Sequence, residues 1–438
     1  MQFGFKFLFV FSVAFCIFQA LIFSESIIDV DKKVLLIEAM ATSNNGISQG
    51  QNLDPQKIRI IAAGDFGCEE IAENNLKEIK KQEPNVFLAL GDLSYEPKLN
   101  CWFDMIKDIE SITKIAVGNH DDVEEVEGSK EVKNEIIKFN NETNSYYSFD
   151  YGNVHFLVLD SQLEFSMGIF KPLEEDEKDI LEKRWKSIEK EEFDKGKMPD
   201  EKYSNKMLKQ ILDVYNISKK EIPPHYVLDL ESGNYFPEAS ERQFQFAVND
   251  LKKASENSGI DWIIVIIHKP FYSSLSKHMQ EYTMREKYQP IFDKYGVDLV
   301  LQAHNHIYDR TFAIKFNPNN TAYPDIDYNA NNKFNFSDPD GSIYSVIGSG
   351  GRSSHIILNN YDYVANKYNG FGFLTIDILG KQLNAKYYDI GYECDKEDLK
   401  ENDFKLGHYD FYDVSSCKLS KDKNPLKVID QYNIIKSN

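Results

Sequence analysis

The sequence predicts an α/β fold of layered sheets and helices. Three features lead to it. Short runs rich in Ile, Val, Leu and Ala alternate with segments of helical period. These runs are apolar throughout, as strands buried on both faces are. Several of them end on Asp, Asn or His, at the carboxyl end of a strand, where open α/β sheets bind their ligands.

"IRIIAAGD" reads as a buried strand ending at Asp65, followed by the helical stretch "EIAENNLKEIKKQ". "NVFLALGD" is a second strand, ending at Asp92, and "ITKIAVGNHD" a third, ending at Asn119. "YYSFDYGNVHFLVLD" reads as a hairpin turning at Gly152–Asn153. Residues 162–240 change character, with blocks such as "LEEDEKDILEKRWKSIEKEEFDKGK", and are expected to form a charged surface insertion. The α/β rhythm resumes with the helix "ERQFQFAVNDLKKASEN" and the strand "DWIIVIIH". A helix around "REKYQPIFDKYG" and the strand "VDLVLQAH" come next. An Asn-rich loop, Asn317 to Ser337, leads into the strands "SIYSVIGSGG" and "GFLTIDIL". The tail, 391–438, is charged and aromatic with no clear period, and is expected to be an extension beyond a domain spanning 57–390.

The chain has 438 residues, 42% of them hydrophobic, enough for a large folded core. A net charge of −20 excludes nucleic-acid binding through the field of the whole protein, although a local positive centre can still bind phosphate. Residues 1–24 have the layout of a secretory signal peptide: one Lys, an apolar run from Phe7 to Phe23, then small polar residues. The alternative is a retained anchor, because the run is near the lower limit for a spanning helix. No other segment is long and apolar enough to span a membrane. The expected location is the secretory pathway, with export or a lysosomal or vacuolar destination. Beyond Cys16 in the signal, Cys68, Cys101, Cys394 and Cys417 allow three pairings. Cys394 with Cys417 would pin the tail and leave Cys68 for Cys101; the other reading leaves some of them free and buried. Asn141, Asn216, Asn319 and Asn335 open glycosylation triplets.

Five strand ends carry metal-capable groups: Asp65, Asp92, Asn119 with His120, His268, and the pair His304 and His306 in "AHNH". Each alone has an ordinary explanation, since an Asp after a strand is more often a turn former and a lone His a satisfied core residue. Together they match a two-metal phosphoester centre. Such a centre needs several oxygen and nitrogen ligands per ion, open positions, and one anionic oxygen bridging the two ions. His304 and His306 lie two residues apart at one strand end, so their side chains leave the same face.

The series "AAGDFG", "ALGDLSY", "AVGNHDD", "VIIHKP" and "AHNH" resembles the calcineurin-type metallophosphoesterase superfamily, from Ile58 to Asp389 with the acidic insertion interrupting it. Two positions select a branch. Asp65-Phe66-Gly67 lacks the histidine that many members place two residues after the first Asp. Tyr95 stands three residues beyond Asp92, resembling the purple acid phosphatases, and "HKPFYSS" and "YDR" resemble that group too. The small tartrate-resistant, animal-type architecture is the better comparison, because residues 27–56 are too few for an N-terminal sandwich domain.

The resemblance implies a four-layer αββα sandwich with a dinuclear site at the carboxyl ends of the strands. Asp65, Asp92, Tyr95 and His306 would hold Fe(III). Asp92, Asn119, His268 and His304 would hold a divalent ion (Fe, Zn or Mn), with Asp92 bridging. A phenolate is a hard anionic oxygen suited to Fe(III). His120 would contact phosphate and protonate the leaving alkoxide, and His278 would face the phosphate. His155, His225, His355 and His408 are read as core or surface histidines. Arg352, in the Gly-rich loop before His355 and near where substrate would bind, could meet a phosphate, but a loop arginine is more often solvated and it is left outside the site.

The implied activity is hydrolysis of phosphate monoesters at acidic pH by metal-activated hydroxide. Small phosphorylated compounds are the expected substrates, with phosphoproteins and nucleotides as further candidates. The alternatives are a phosphodiesterase or nucleotide hydrolase on the same fold, or a non-catalytic secreted scaffold. One departure bears on geometry. Ala303 stands where the family has Gly, so a positive φ there would cost on the order of 1 kcal/mol and shift the site.

Overall fold

The computed structural model describes residues 57–122, 129–164, 169–172, 226–229, 237–320, 323–327, 333–394, 411–412, 417–420 and 426–437, except single positions 275, 277, 279 and 356 and the segment 358–360. The expected signal peptide, most of the 162–240 insertion, Asn216, His225 and His408 lie outside them.

Two sheets carry the fold. The first has seven strands, in the order Asn335–Ser337, Lys427–Ile435, Gln382–Asp389, Gly372–Leu379, Ile58–Ala63, Val86–Ala89 and Thr113–Ile115. The second has eight. Its path runs Asp325–Ile326, Tyr308–Lys315, Ser342–Ile347, Leu299–Gln302, Trp262–Ile266, Val154–Val158 and Tyr147–Tyr151, with Val364–Tyr368 also paired to Tyr308–Lys315. Helix Glu70–Lys81 lies on the first sheet against Gly372–Leu379. Helices Pro237–Glu256 and Tyr282–Tyr295 pack together on the second. The layers are therefore helix, sheet, sheet, helix.

Strand periodicity builds these layers. Along Trp262–Ile266, residues Trp262, Ile264 and Ile266 enter the core between the sheets, while Ile263 and Val265 enter the core under the helices. Both faces are dry, and so the strand is apolar without interruption. In helix Glu70–Lys81 the buried residues Ile71, Ala72, Asn75, Leu76 and Ile79 form one stripe. The hairpin turns at Gly152–Asn153, where Tyr151 pairs with Val154.

The site depends on which strands run parallel. Ile58–Ala63, Val86–Ala89 and Thr113–Ile115 are parallel, with Ala63, Ala89 and Ile115 in register. Val154–Val158, Trp262–Ile266, Leu299–Gln302 and Ser342–Ile347 are parallel in the other sheet. The loops after Ala63, Ala89, Ile115, Ile266 and Gln302 therefore leave from neighbouring strand ends.

Three differences from the sequence reading stand out. The tail 391–438 contributes a strand, Lys427–Ile435, to the first sheet. Its buried residues Asp430, Tyr432 and Ile434 alternate with exposed or half-buried ones. One of the three is an aspartate, which breaks the apolar alternation that would reveal a strand. Helix Pro237–Glu256 begins inside the expected insertion. Helices Asn100–Ile106 and Ser129–Phe139 and strands Tyr308–Lys315 and Gln382–Asp389 were not anticipated. A disulfide joins Cys68 to Cys101. Cys417 is also disulfide-bonded, and Cys394 stands opposite it in the register of a short strand pair.

A buried ion pair fastens the tail strand to the domain. Arg310 donates from Nε to Asp430 Oδ2 at 2.7 Å and from Nη2 to Oδ1 at 3.2 Å, and the Tyr308 hydroxyl donates to Oδ2 at 2.7 Å. Arg310 and Asp430 are almost fully buried. Asp430→Ala would leave a cation unpaired in the interior. It is expected to lower unfolding stability by roughly 3–5 kcal/mol, measurable by urea denaturation.

Candidate metal centre

All nine residues singled out in the sequence reach one cleft at the strand ends. Asp65 and Asp92 are buried, as are His268, His304 and His306, whereas Asn119 and Tyr95 are half-buried and His120 is exposed at the mouth.

One group of donors joins Asp65, Tyr95 and His306. The Tyr95 hydroxyl donates to Asp65 Oδ1 at 3.0 Å and lies 3.0 Å from His306 Nε2, and that nitrogen is 3.2 Å from Asp65 Oδ1. A second group joins Asn119, His268 and Asp92. His268 Nε2 is 3.1 Å from Asn119 Oδ1 and 3.4 Å from Asp92 Oδ2. Ligand atoms of Asp92, His268 and His304 lie within 4.8 Å of one another. Two ligands bonded at about 2.0–2.2 Å to one ion stand about 3 Å apart, so both groups have the spacing of a ligand set.

Most of these side chains are held by one atom and present another. Asp65 Oδ2 accepts the His304 N–H at 2.8 Å, leaving Oδ1 to the cluster. Asp92 Oδ1 accepts the His120 N–H at 2.8 Å, leaving Oδ2. His268 Nδ1 donates to the Leu90 carbonyl at 2.8 Å, and His306 Nδ1 is paired with the Ser353 hydroxyl at 2.5 Å, so Nε2 of each faces inward. This outer hydrogen bonding is what orients metal-binding imidazoles. The oxygen, phenol and imidazole donors suit hard and borderline ions.

Backbone strain is concentrated in the same loops. Asp65, Asp92, Tyr95 and His304 have φ of 60°, 54°, 58° and 68°. Aspartate and histidine enter this region more readily than most side chains, but for Tyr it is uncommon and persists only where the surroundings enforce it. At Ala303 the expected penalty does not arise, since the left-handed residue is its neighbour His304. A Cβ on Gly64 would fall 2.7 Å from that of Ala303, so the first and last loops meet there through the smallest side chains. Gly91 has φ +92°, and a Cβ on it would come within 2.8 Å of His268 Nδ1.

Several residues that shape the site were not anticipated. Asp121, buried beside the expected Asn119 and His120, accepts the N–H groups of Asp92 at 2.8 Å, Gly118 at 2.9 Å and Leu93 at 3.1 Å. It fastens the second loop to the third, and its place in "GNHDD" was the available signal. Asn305, between the two histidines, donates to Ser273 Oγ at 3.0 Å and to the His278 carbonyl at 3.1 Å, and accepts the His278 N–H at 3.0 Å. His278 thereby comes 3.9 Å from the His304 ring, centroid to centroid. His355, read as an ordinary core histidine, is buried and stacks on His306 at 4.0 Å. Its Nδ1 accepts the His306 N–H at 3.0 Å, which puts its proton on Nε2. Arg352 lies 4.9 Å over the Tyr95 ring.

The protons on the donor side chains follow from burial and charge. Burial and the carboxylates of Asp65 and Asp92 push the Tyr95 hydroxyl well above its usual range. Burial would lower His268, but the charge of Asp92 outweighs it and raises the imidazole to about 9. Burial also presses on Asp92 to stay neutral, yet the charges of His268 and His120 hold it ionised, below the usual carboxylate range. Burial, then the charges of His278 and Lys269, hold His304 well below its usual range and so neutral.

A four-layer fold that brings this donor set to its strand ends is that of a metallophosphoesterase. The chain belongs to the calcineurin-like phosphoesterase family, whose sequence pattern matches residues 58–308, more than half its length. It is similar to a purple acid phosphatase of Glycine max, with 29% identity over 156 residues, 34% of this chain and 30% of that one. It is 37% identical over 101 residues to Fe(3+)-Zn(2+) purple acid phosphatase 12 of Arabidopsis thaliana, covering 22% and 20% of the two chains. Human acid phosphatase type 7 shows 27% identity over 176 residues, 36% and 37% of the chains. The matches thus span between 20% and 37% of these relatives' lengths. Purple acid phosphatase PPD1 from yellow lupin (Lupinus luteus) has a like fold, with a TM-score of 0.52 at 16% identity, covering 87% of this chain and 54% of that one.

A metal ion held by His268 and Tyr95 would have to displace their protons, so metal uptake should weaken as pH falls. His268 titrates at about 9, so affinity is expected to rise with pH through neutrality. Zn(II) titrations of metal-free protein at pH 5 and pH 7.5 would measure the change.

Proposed function

We propose that this protein is an acid phosphatase that hydrolyses phosphate monoesters at a dinuclear Fe(III)–M(II) centre. The observation that carries the reading is the shared arrangement of Asp65, Asp92, His268 and His306, each anchored through one atom and offering another to a common space. The relatives' names support phosphatase chemistry, and that of the Arabidopsis protein supports iron with zinc.

Asp65, Tyr95 and His306 would hold the ferric ion, Asn119, His268 and His304 the divalent one, and Asp92 both. When bound, such a pair supplies positive charge to phosphate oxygens and lowers the pKa of a water. The remaining steps belong to the side chains. His120, exposed at the mouth with its ring 4.4 Å from that of Tyr95, donates a proton to the departing ester oxygen. His278, clamped by Asn305, orients the phosphate beside His304. The expected substrates are small phosphorylated compounds, and the chain works in the secretory pathway.

Elemental analysis of purified protein, with p-nitrophenyl phosphate turnover followed across pH, tests the reading. Two metals per chain and an acidic optimum are expected. Asp92→Ala should lose metal and activity together, and full activity in that variant would refute the scheme. A tyrosinate bound to ferric iron would give a violet charge-transfer band, and Tyr95→Phe should bleach it while the protein stays folded.

A proton donor matters most for poor leaving groups. His120→Ala should therefore lower kcat by about 10²–10⁴ for an alkyl phosphate but far less for p-nitrophenyl phosphate. Equal losses on both would reject His120 as the acid.

A further inference from the structure

Tyr95 is the donor whose backbone is hardest to hold. Its φ of 58° is uncommon for a tyrosine, so something around it must prevent relaxation. On the upstream side the restraint is Asp121, which accepts the N–H groups of Asp92 and Leu93. On the downstream side Glu96, Pro97 and Lys98 are exposed, and the chain returns to the core only at Leu99 and Trp102. Cys101 stands between those two, bonded to Cys68.

Cys68 lies in the first loop, three residues beyond Asp65. The bridge therefore joins the loop of Asp65 to the loop of Tyr95, and the Tyr95 hydroxyl donates to Asp65 Oδ1 at 3.0 Å. Two weaker contacts run beside it. Phe66 packs on Trp102 with ring centroids 5.9 Å apart. Glu69 Oε2 accepts the Cys68 N–H at 2.9 Å, while its Oε1 accepts from Arg352 Nη1 at 2.6 Å, and that guanidinium lies over the Tyr95 ring. A covalent closure removes the extended conformations into which a tyrosine at positive φ would relax. The other half of the cleft is built from different loops. Asn119, His268 and His304 follow the strands ending at Ile115, Ile266 and Gln302, and Asp92 is tied to the third loop by Asp121.

We propose that the Cys68–Cys101 disulfide is a positioning device for Tyr95, which keeps the phenol at the ferric position while the divalent position stands without it. This rests on the two-metal reading above. The bridge touches neither ion and acts through the loop that presents the phenol.

The test uses the full-length protein, stripped of metal and titrated with Ga(III), a redox-inert trivalent ion, and with Zn(II). Cys68→Ser combined with Cys101→Ser should weaken Ga(III) binding by about 10–100-fold, the usual loss when a group that orients a ligand is removed, and leave the affinity for the first Zn(II) unchanged. Loaded with iron, this double variant should lose the violet band. In a Tyr95→Phe background the same pair of substitutions should cost no further Ga(III) affinity, since the ligand it positions is gone. Cys417→Ser, which opens the disulfide of the tail, should change neither affinity. Equal losses for both ions would overturn the proposal and make the bridge a general support of the fold. Undiminished Ga(III) binding, a full further loss in the Tyr95→Phe background, or the same loss in Cys417→Ser would overturn it too. Hydrogen exchange of the metal-free protein gives an arm that needs no ion. Amides of 92–102 should exchange faster in the double variant, and those of 116–122 at the wild-type rate. Exchange unchanged in the first segment, or quickened in both, would count against the bridge. Wild-type protein that takes up neither ion speaks against the two-metal reading, and the exchange arm still decides the role of the disulfide.

Discussion

Two carboxylates, Asp65 and Asp92, are almost wholly removed from water within one cleft, and the surrounding loops are shaped by that constraint. A buried anion is tolerated only where hydrogen bonds and opposite charge replace its hydration. Here the replacement comes from backbone N–H groups one loop away. Asp65 takes that of His304, and Asp92 takes that of His120. Each carboxylate thus ties its own strand end to another, and the strained backbone at Asp65, Asp92, Tyr95 and His304 is the conformation that lets those ties close. The same bonds leave Asp65 Oδ1 facing Tyr95 and His306, and Asp92 Oδ2 facing His268.

Holding such loops within a few tenths of an ångström requires the two sheets to stay in fixed relation, and distant residues do much of this. Asn75, buried on the first helix, donates to the carbonyls of Gly350 at 2.9 Å and Gly372 at 3.0 Å. Tyr387 donates to Ser349 Oγ at 2.9 Å from the strand beside Gly372–Leu379. Together they fix the Gly-rich loop whose Ser353 pairs with His306. On the other side, Lys133 of helix Ser129–Phe139 bridges Asp122, next to Asp121, and Asp160 at the end of the hairpin strand. None of these contacts reaches the donors directly, yet each fixes a segment that does.

The central strands were legible because burial on both faces leaves apolar runs that a sequence cannot disguise. The strand ends were legible because their donor types recur in one order. Edge strands were not. Lys427–Ile435 buries an aspartate, Asp430, against Arg310, and a strand whose core position is an ion pair has no hydrophobic period to detect. The supporting residues escaped for a related reason. Asp121, Asn305 and His355 act through backbone groups of other loops, so their importance depends on which loops meet, and that is a property of topology and not of local pattern. The positive φ near Ala303 shows the limit on a single residue, for the sequence marked the right turn but the neighbouring position carries it.

The proton arrangement of the cluster gives the donors an order. His304 is neutral and available, because burial and the cations around it exclude a further charge. His268 is protonated at neutral pH, drawn upward by Asp92. Tyr95 keeps its proton most firmly, since burial and two carboxylates oppose a third anion. A phenol so placed becomes a ligand only when a highly charged cation offsets both carboxylates at once, because the cation reverses the sign of the field that held the proton. A divalent ion held, as proposed, by Asn119, His268 and His304 would have only one imidazole proton to displace. If both ions bind as proposed, the half of the cleft that contains Tyr95 would discriminate by charge, and the half that contains His304 would be the more permissive. The two proposed positions would be unlike because only one of them contains a phenol.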